Sequence, residues 1–258
     1  MKKLRFYRAL MGTCLACCMA WLAACSESSL LPEPTVDWGD KHFLWKVSDE
    51  NSSVWLLGSI HVANASFYPL PTVIDSAFTA ANELAVEINT SDAYTSSELQ
   101  WLINRRGMLI EGTLWDVLPT TLWYSLDSLC TAWNLPVSTF ESMRPWLVAS
   151  TISTYAYMRA GLKTEYGIDN VLMGEATKIG KPIISLETAE EQVEALAGSS
   201  ESDSAGICML KSVFRELPGV KPMMSNLIKA WKTGDDELLN RLLAEDHVED
   251  YTPSEVLL

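Results

Sequence analysis

Val54-Trp55-Leu56-Leu57-Gly58-Ser59-Ile60-His61 is the stretch on which the fold turns, because it runs almost continuously apolar into a glycine and ends on a histidine. Upstream, Phe43, Trp45 and Val47 alternate with polar or outward residues, and Asp49-Glu50-Asn51-Ser52 makes a turn. Together the two runs predict a β-hairpin whose second strand is buried on both faces. Downstream, residues 71–82 carry helical spacing at Val73, Ile74, Ala77, Phe78 and Ala81, and Leu84-Ala85-Val86-Glu87-Ile88 reads as another buried strand. Strand, helix, strand suggests parallel pairing.

Residues 96–160 read as helical, broken near Gly112, Pro119, Pro136 and Pro145, and form an insertion or cap. A helix over 167–179 ends at Gly180, where glycine supplies the left-handed terminal residue. Pro182-Ile183-Ile184-Ser185-Leu186 is a third strand of the parallel type, and residues 188–246 read as three or four helices. The fold class expected is α/β: a small, mainly parallel sheet with an N-terminal hairpin and a large helical insertion or cap.

Two residues on this frame carry chemistry. His61 stands at the carboxyl end of a buried strand, where ligands bind in parallel α/β sheets, and Gly58 three residues earlier lets another group approach the backbone. Glu87 lies in the next strand between Val86 and Ile88, where a carboxylate is costly unless paired or bound to a cation. If those strands are neighbours, an imidazole and a carboxylate meet at the sheet's end, the start of a metal site. A structural histidine and a glutamate salt-bridged to arginine are the plain alternatives. Asp169 and Glu187 read as acids at helix starts. No Gly-x-Ser-x-Gly elbow, phosphate loop, His-Glu-x-x-His or dinucleotide fingerprint is present, which argues against a serine hydrolase or nucleotide enzyme.

The first residues carry Lys2, Lys3, Arg5 and Arg8, then a mostly apolar run to Ala24 and Leu22-Ala23-Ala24-Cys25, the form of a bacterial lipobox. Residues 1–24 are expected to be a lipoprotein signal peptide, Cys25 the lipidation site, residues 25–41 a flexible tether and residues 42–258 a single α/β domain. Ser26, rather than Asp, resembles lipoproteins passed to the outer membrane, so the expected location is the bacterial envelope, lipid-anchored and facing the periplasm. Cleavage would leave 15 basic against 33 acidic residues, a net charge of −18, which argues against nucleic-acid binding. With 48% apolar residues and ten tryptophans there is material for one good-sized core. Cys130 and Cys208 are the folded region's thiols and could pair in an oxidising compartment.

The sequence resembles the TraB/GumN family, which also takes in the Tiki metalloproteases. The resemblance rests on Phe43-Leu44-Trp45-Lys46-Val47 and Gly58-Ser59-Ile60-His61, a Gly-x-x-His motif. It continues at Leu84-Ala85-Val86-Glu87, Met143-Arg144-Pro145-Trp146, Tyr166-Gly167-Ile168-Asp169, Gly180-Lys181-Pro182-Ile183, Leu186-Glu187-Thr188 with Gln192, and Trp231-Lys232-Thr233-Gly234-Asp235. It implies a hydrolase-like fold in which a divalent metal (Mn, Co or Zn) activates water for peptide hydrolysis. His61 and Glu87 match the family's first histidine and its glutamate, which binds metal or takes the water's proton; Arg144 matches an arginine that steadies negative charge. The family's second Gly-x-x-His has no counterpart before Leu258, since the histidines are His42, His61 and His247, so the chain is expected to lack that C-terminal portion. The rival expectation is a non-catalytic surface lipoprotein that binds a small molecule or a protein partner.

Overall fold

The computed structural model describes residues 39, 41–198 and 203–244. The expected signal peptide, the lipidation site Cys25, most of the tether and His247 lie outside the described residues.

Strands β1 (Leu44–Ser48) and β2 (Ser53–Leu57) form an antiparallel hairpin in which Trp45 opposes Leu56 and Val47 opposes Val54. Asp49 closes the turn, its Oδ1 accepting from the backbone N–H groups of Asn51 and Ser52. The hairpin forms as expected, but β2 is not buried on both faces: Val54 and Leu56 are 56% and 55% exposed. Only one face of this two-stranded sheet packs, with Leu44 and Leu57 turned towards a core of Phe43, Ile60, Phe67, Ile74 and Trp231.

Helix α1 (Thr72–Ala80) leads to β3 (Leu84–Val86), which pairs in parallel with β4 (Ile183–Ser185). The expected mainly parallel sheet is therefore corrected. Among the described residues there are two two-stranded sheets, one antiparallel and one parallel, and β2 does not pair with β3.

Between β3 and β4 run α2 (Ala93–Gly107), α3 (Leu114–Val117), α4 (Thr120–Trp133), α5 (Pro145–Arg159) and α6 (Ile168–Ile179). Proline at the first position of α5 costs no hydrogen bond there, and Gly180 ends α6 in the left-handed region at φ 69°. The segment expected to be a cap contains the most buried helix. Residues 145–154 of α5 are buried without a break, so α5 is a core helix. Three of its buried hydroxyls are satisfied within the helix, Ser150, Thr151 and Thr154 each donating to the carbonyl four residues earlier.

Four helices follow β4: α7 (Ala189–Ala197), α8 (Ser204–Glu216), α9 (Val220–Thr233) and α10 (Asp236–Ala244). α7 starts on a capping box of Thr188 and Glu191, so the cap expected of Glu187 belongs to its neighbour. α8 packs on α5, and Leu210, Val213 and Phe214 join the core of α4 and α5.

Cys130 and Cys208, the expected disulfide pair, are free thiols here. Cys130 is buried, whereas Cys208 lies between Gly206 and Leu210, about 200° round α8 from each of these inward residues, and is exposed. No described helix is long and apolar enough to cross a membrane.

Candidate functional site

The chain leaves β2 through Gly58, whose N–H donates to Phe43 O at 2.8 Å and whose carbonyl accepts from Trp231 Nε1 at 2.7 Å. A Cβ on Gly58 would stand 3.2 Å from that of Phe43, so the small residue permits the close approach. Three residues on, His61 is only 6% exposed. The segment leading into α6 presses against it: Ile168 N donates to Ile60 O at 2.9 Å, and a Cβ on Gly167 would fall 2.4 Å from His61 O.

That approach delivers Asp169, in the first turn of α6, to the imidazole. Asp169 Oδ2 is 3.0 Å from His61 Nδ1, while its Oδ1 is buried without a hydrogen-bond partner among the described residues. On the ring's other side, His61 Nε2 lies 3.7 Å from Glu87 Oε2. Glu87 follows β3 and Glu187 follows β4, and Glu187 N donates to Glu87 O at 2.8 Å. The parallel pair thus brings Glu187 near enough to feel the charge of Glu87.

The electrostatics follow from burial and crowding. Burial acts to lower the pKa of His61, but the hydrogen bond to Asp169 and the charges of Asp169 and Glu87 outweigh it, and the imidazole is held above its ordinary value. Burial first, then the charges of Glu87 and Glu191, raises Glu187 above the ordinary carboxyl range. Tyr68 is also raised, by burial and then by Asp169, and its hydroxyl donates to Tyr166 O at 2.8 Å.

His61, Glu87 and Asp169 line one cavity of about 1000 Å³, walled otherwise largely by apolar groups including Phe43, Trp55 and Leu243. Arg144 does not line it. That residue caps the start of α5, its guanidinium 3.4 Å from Asp203 Oδ1.

The donor set bears on whether a divalent cation fits. Two ligands each about 2.1 Å from a tetrahedral ion sit about 3.4 Å apart, close to the 3.7 Å between His61 Nε2 and Glu87 Oε2, which is too long for a hydrogen bond. Asp169 on Nδ1 has the role that carboxylates fill behind metal-binding imidazoles, fixing tautomer and ring orientation. The residues fit as two donors with an outer carboxylate. Among the described residues no cluster of three or more His, Cys, Asp or Glu is arranged around one ion.

His61 and Glu87 lie 3.7 Å apart, but not through the pairing of their strands on which the sequence prediction rests. Asp169 carries more than the helix-start role expected of it, and Glu187, which is not the cap of α7, is instead a carboxyl group influenced by Glu87. The signal for Asp169 was the Gly167 before it, whose missing side chain admits the backbone of His61.

Comparison with known proteins places the chain among relatives of unassigned function. An uncharacterized protein, YbaP, of Escherichia coli (strain K12) is 27% identical over 159 residues, which are 60% of this chain and 57% of that protein. A Shigella flexneri protein of the same name matches to the same extent. An uncharacterized protein of Treponema pallidum (strain Nichols) is 20% identical over 240 residues, 92% of this chain and 71% of that protein. The chain thus spans little more than half the length of the first two, and no solved structure matches it. The profile of the TraB/PrgY/gumN family matches residues 43–257, and the chain belongs to that family.

Proposed function

We propose that this chain is a lipid-anchored envelope protein whose His61–Glu87 site serves metal-assisted hydrolysis of a peptide-type bond. One observation carries the reading: His61 is anchored through Nδ1 on Asp169 and offers Nε2 to Glu87 at 3.7 Å in the wall of a large cavity. A bound divalent ion would supply Lewis acidity and a water of lowered pKa. The residues do the rest. With an ion bound the imidazole would be neutral, and Asp169 would keep its remaining proton on Nδ1 and leave the Nε2 lone pair free for the ion beside Glu87. Glu87, about a third exposed, has a carboxylate that can bind the ion or accept a proton from water. Glu187, with its raised pKa, holds a proton more readily than an ordinary carboxyl. The apolar walls would bind the substrate's side chains and exclude water. The lipobox Leu22-Ala23-Ala24-Cys25 supports the anchor.

That His61 and Glu87 are the only close donors among the described residues favours a second reading, a lipoprotein that uses the cavity to bind a small molecule or a protein partner without catalysis. Calorimetry with Mn²⁺, Co²⁺ and Zn²⁺, run beside a peptide-cleavage assay, separates the two. Saturable binding abolished by His61→Ala and by Glu87→Ala supports the metal reading. Heat signals unchanged by both substitutions would exclude it and leave the binding protein.

A further inference from the structure

We propose that Trp231 and Lys232, adjacent residues near the end of α9, are positioning residues that set the imidazole of His61 against Glu87. The loop from Gly58 to Ser66 carries His61, and this dipeptide grips it at both ends. Trp231 Nε1 donates to Gly58 O at 2.7 Å. Lys232 Nζ donates to Ser66 O at 2.6 Å and to Ser66 Oγ at 3.1 Å.

Lys232 is 1% exposed, an expensive place for an ammonium group. Its stem alone would be replaceable by an apolar side chain of similar volume. What the ammonium adds is direction: it fixes a backbone carbonyl and a hydroxyl on the far side of His61, and it lies 4.9 Å over the ring of Phe67. The Phe67 ring in turn lies 5.6 Å from that of Trp231, so the two grips form one packed unit. Between them, Ile60 O accepts from Ile168 N, and Ala63 exchanges hydrogen bonds with Lys163 in both directions. α9 therefore holds the loop's ends while the segment entering α6 holds its middle. The histidine between is left with one orientation, Nδ1 on Asp169 and Nε2 towards Glu87.

The consequence for cation binding rests on the proposed reading of His61 as a ligand; the positioning itself does not. The chain has three histidines, so a ¹⁵N–¹H imidazole spectrum is simple, and His61→Asn identifies the His61 signals. The full protein is compared with Lys232→Met, which keeps the stem and removes the donors, with Trp231→Phe, and with Ser66→Ala, a mild change at a half-buried position. Val213→Ala, in the separate α4–α5–α8 core, controls for general loss of stability.

The expected result is that the three loop variants move the His61 nitrogen resonances and lower Co²⁺ affinity about tenfold, whereas Val213→Ala lowers the melting temperature and leaves those resonances in place. Wild-type His61 resonances in a folded Lys232→Met or Trp231→Phe protein would overturn the proposal. Should both fail to fold, Ser66→Ala decides by the same criterion. If the resonances move but Co²⁺ does not bind even the unaltered protein, the metal reading fails and the positioning stands.

Discussion

Asp169 Oδ2 accepts from His61 Nδ1 at 3.0 Å across 108 residues of sequence, and this bond turns a buried histidine into an oriented one. Asp169→Asn keeps the volume but offers a neutral amide, which binds the ring less strongly and no longer favours one tautomer. Metal ligands whose outer partner is altered this way lose about 10- to 100-fold in affinity. Co²⁺ titration of Asp169→Asn should show a loss in that range with circular dichroism unchanged. Unaltered affinity would mean that Asp169 acts only at the helix start.

Two glycines of one segment should respond to alanine with opposite signs. At Gly167 the new Cβ would meet His61 O at 2.4 Å, a clash of backbone with backbone, and overpacking of this kind costs about 3 kcal/mol. Gly174 lies within α6 with nothing inside 4 Å of its ideal Cβ, so Gly174→Ala should stabilise by about 0.5–1 kcal/mol. Urea unfolding of the two variants gives both signs. A neutral Gly167→Ala would show that the loop bearing His61 can retreat.

The contrast between these glycines shows what sequence can carry. Element positions were legible because periodicity and chain breakers report local structure: Gly180 ends α6 where predicted, and the break expected near Pro145 is the start of α5. His61 and Glu87 stood out because polar groups on apolar strands need a reason. Asp169 did not, since an acid in the first turn of a helix is ordinary, and its second role depends on Gly167 closing on His61. The division into two sheets was hidden for a similar reason. Val54 and Leu56 have the apolar character of core residues, but they lie on the face of the hairpin turned away from the core that Leu44 and Leu57 join. For Arg144 the motif match fixes a sequence position, and the neighbourhood of its guanidinium, with Asp203 at 3.4 Å, comes from the fold.

The anchor is tested on the mature N-terminus. Mass spectrometry of protein from an envelope fraction should find Cys25 as the first residue, bearing acyl chains, and Cys25→Ala should accumulate as uncleaved precursor. A mature protein beginning elsewhere, or released into the periplasm, would remove the lipid from the proposed function and leave the site untouched.

The two thiols provide the final test, because the structure and the oxidising compartment that the proposed envelope location implies pull in different directions. Burial first, and then the charge of Asp127, pushes the Cys130 thiol up from 9.0 to about 11. A raised pKa means the fold prefers the protonated form. Its contribution to stability is complete below pH 9, falls as pH rises towards 11 and should vanish from the pH profile of Cys130→Ala. At pH 8 the shift leaves about a hundredfold less thiolate than an ordinary cysteine has, and thiolate is the reactive species. In a soluble form beginning after Cys25, iodoacetamide should therefore modify the exposed Cys208 quickly and Cys130 only on unfolding. Denaturing the unreduced protein should expose two alkylatable thiols. Finding none would mean that α4 and α8 shift to bridge Cys130 and Cys208, which would require Cys208 to turn from the solvent face of α8 into the core.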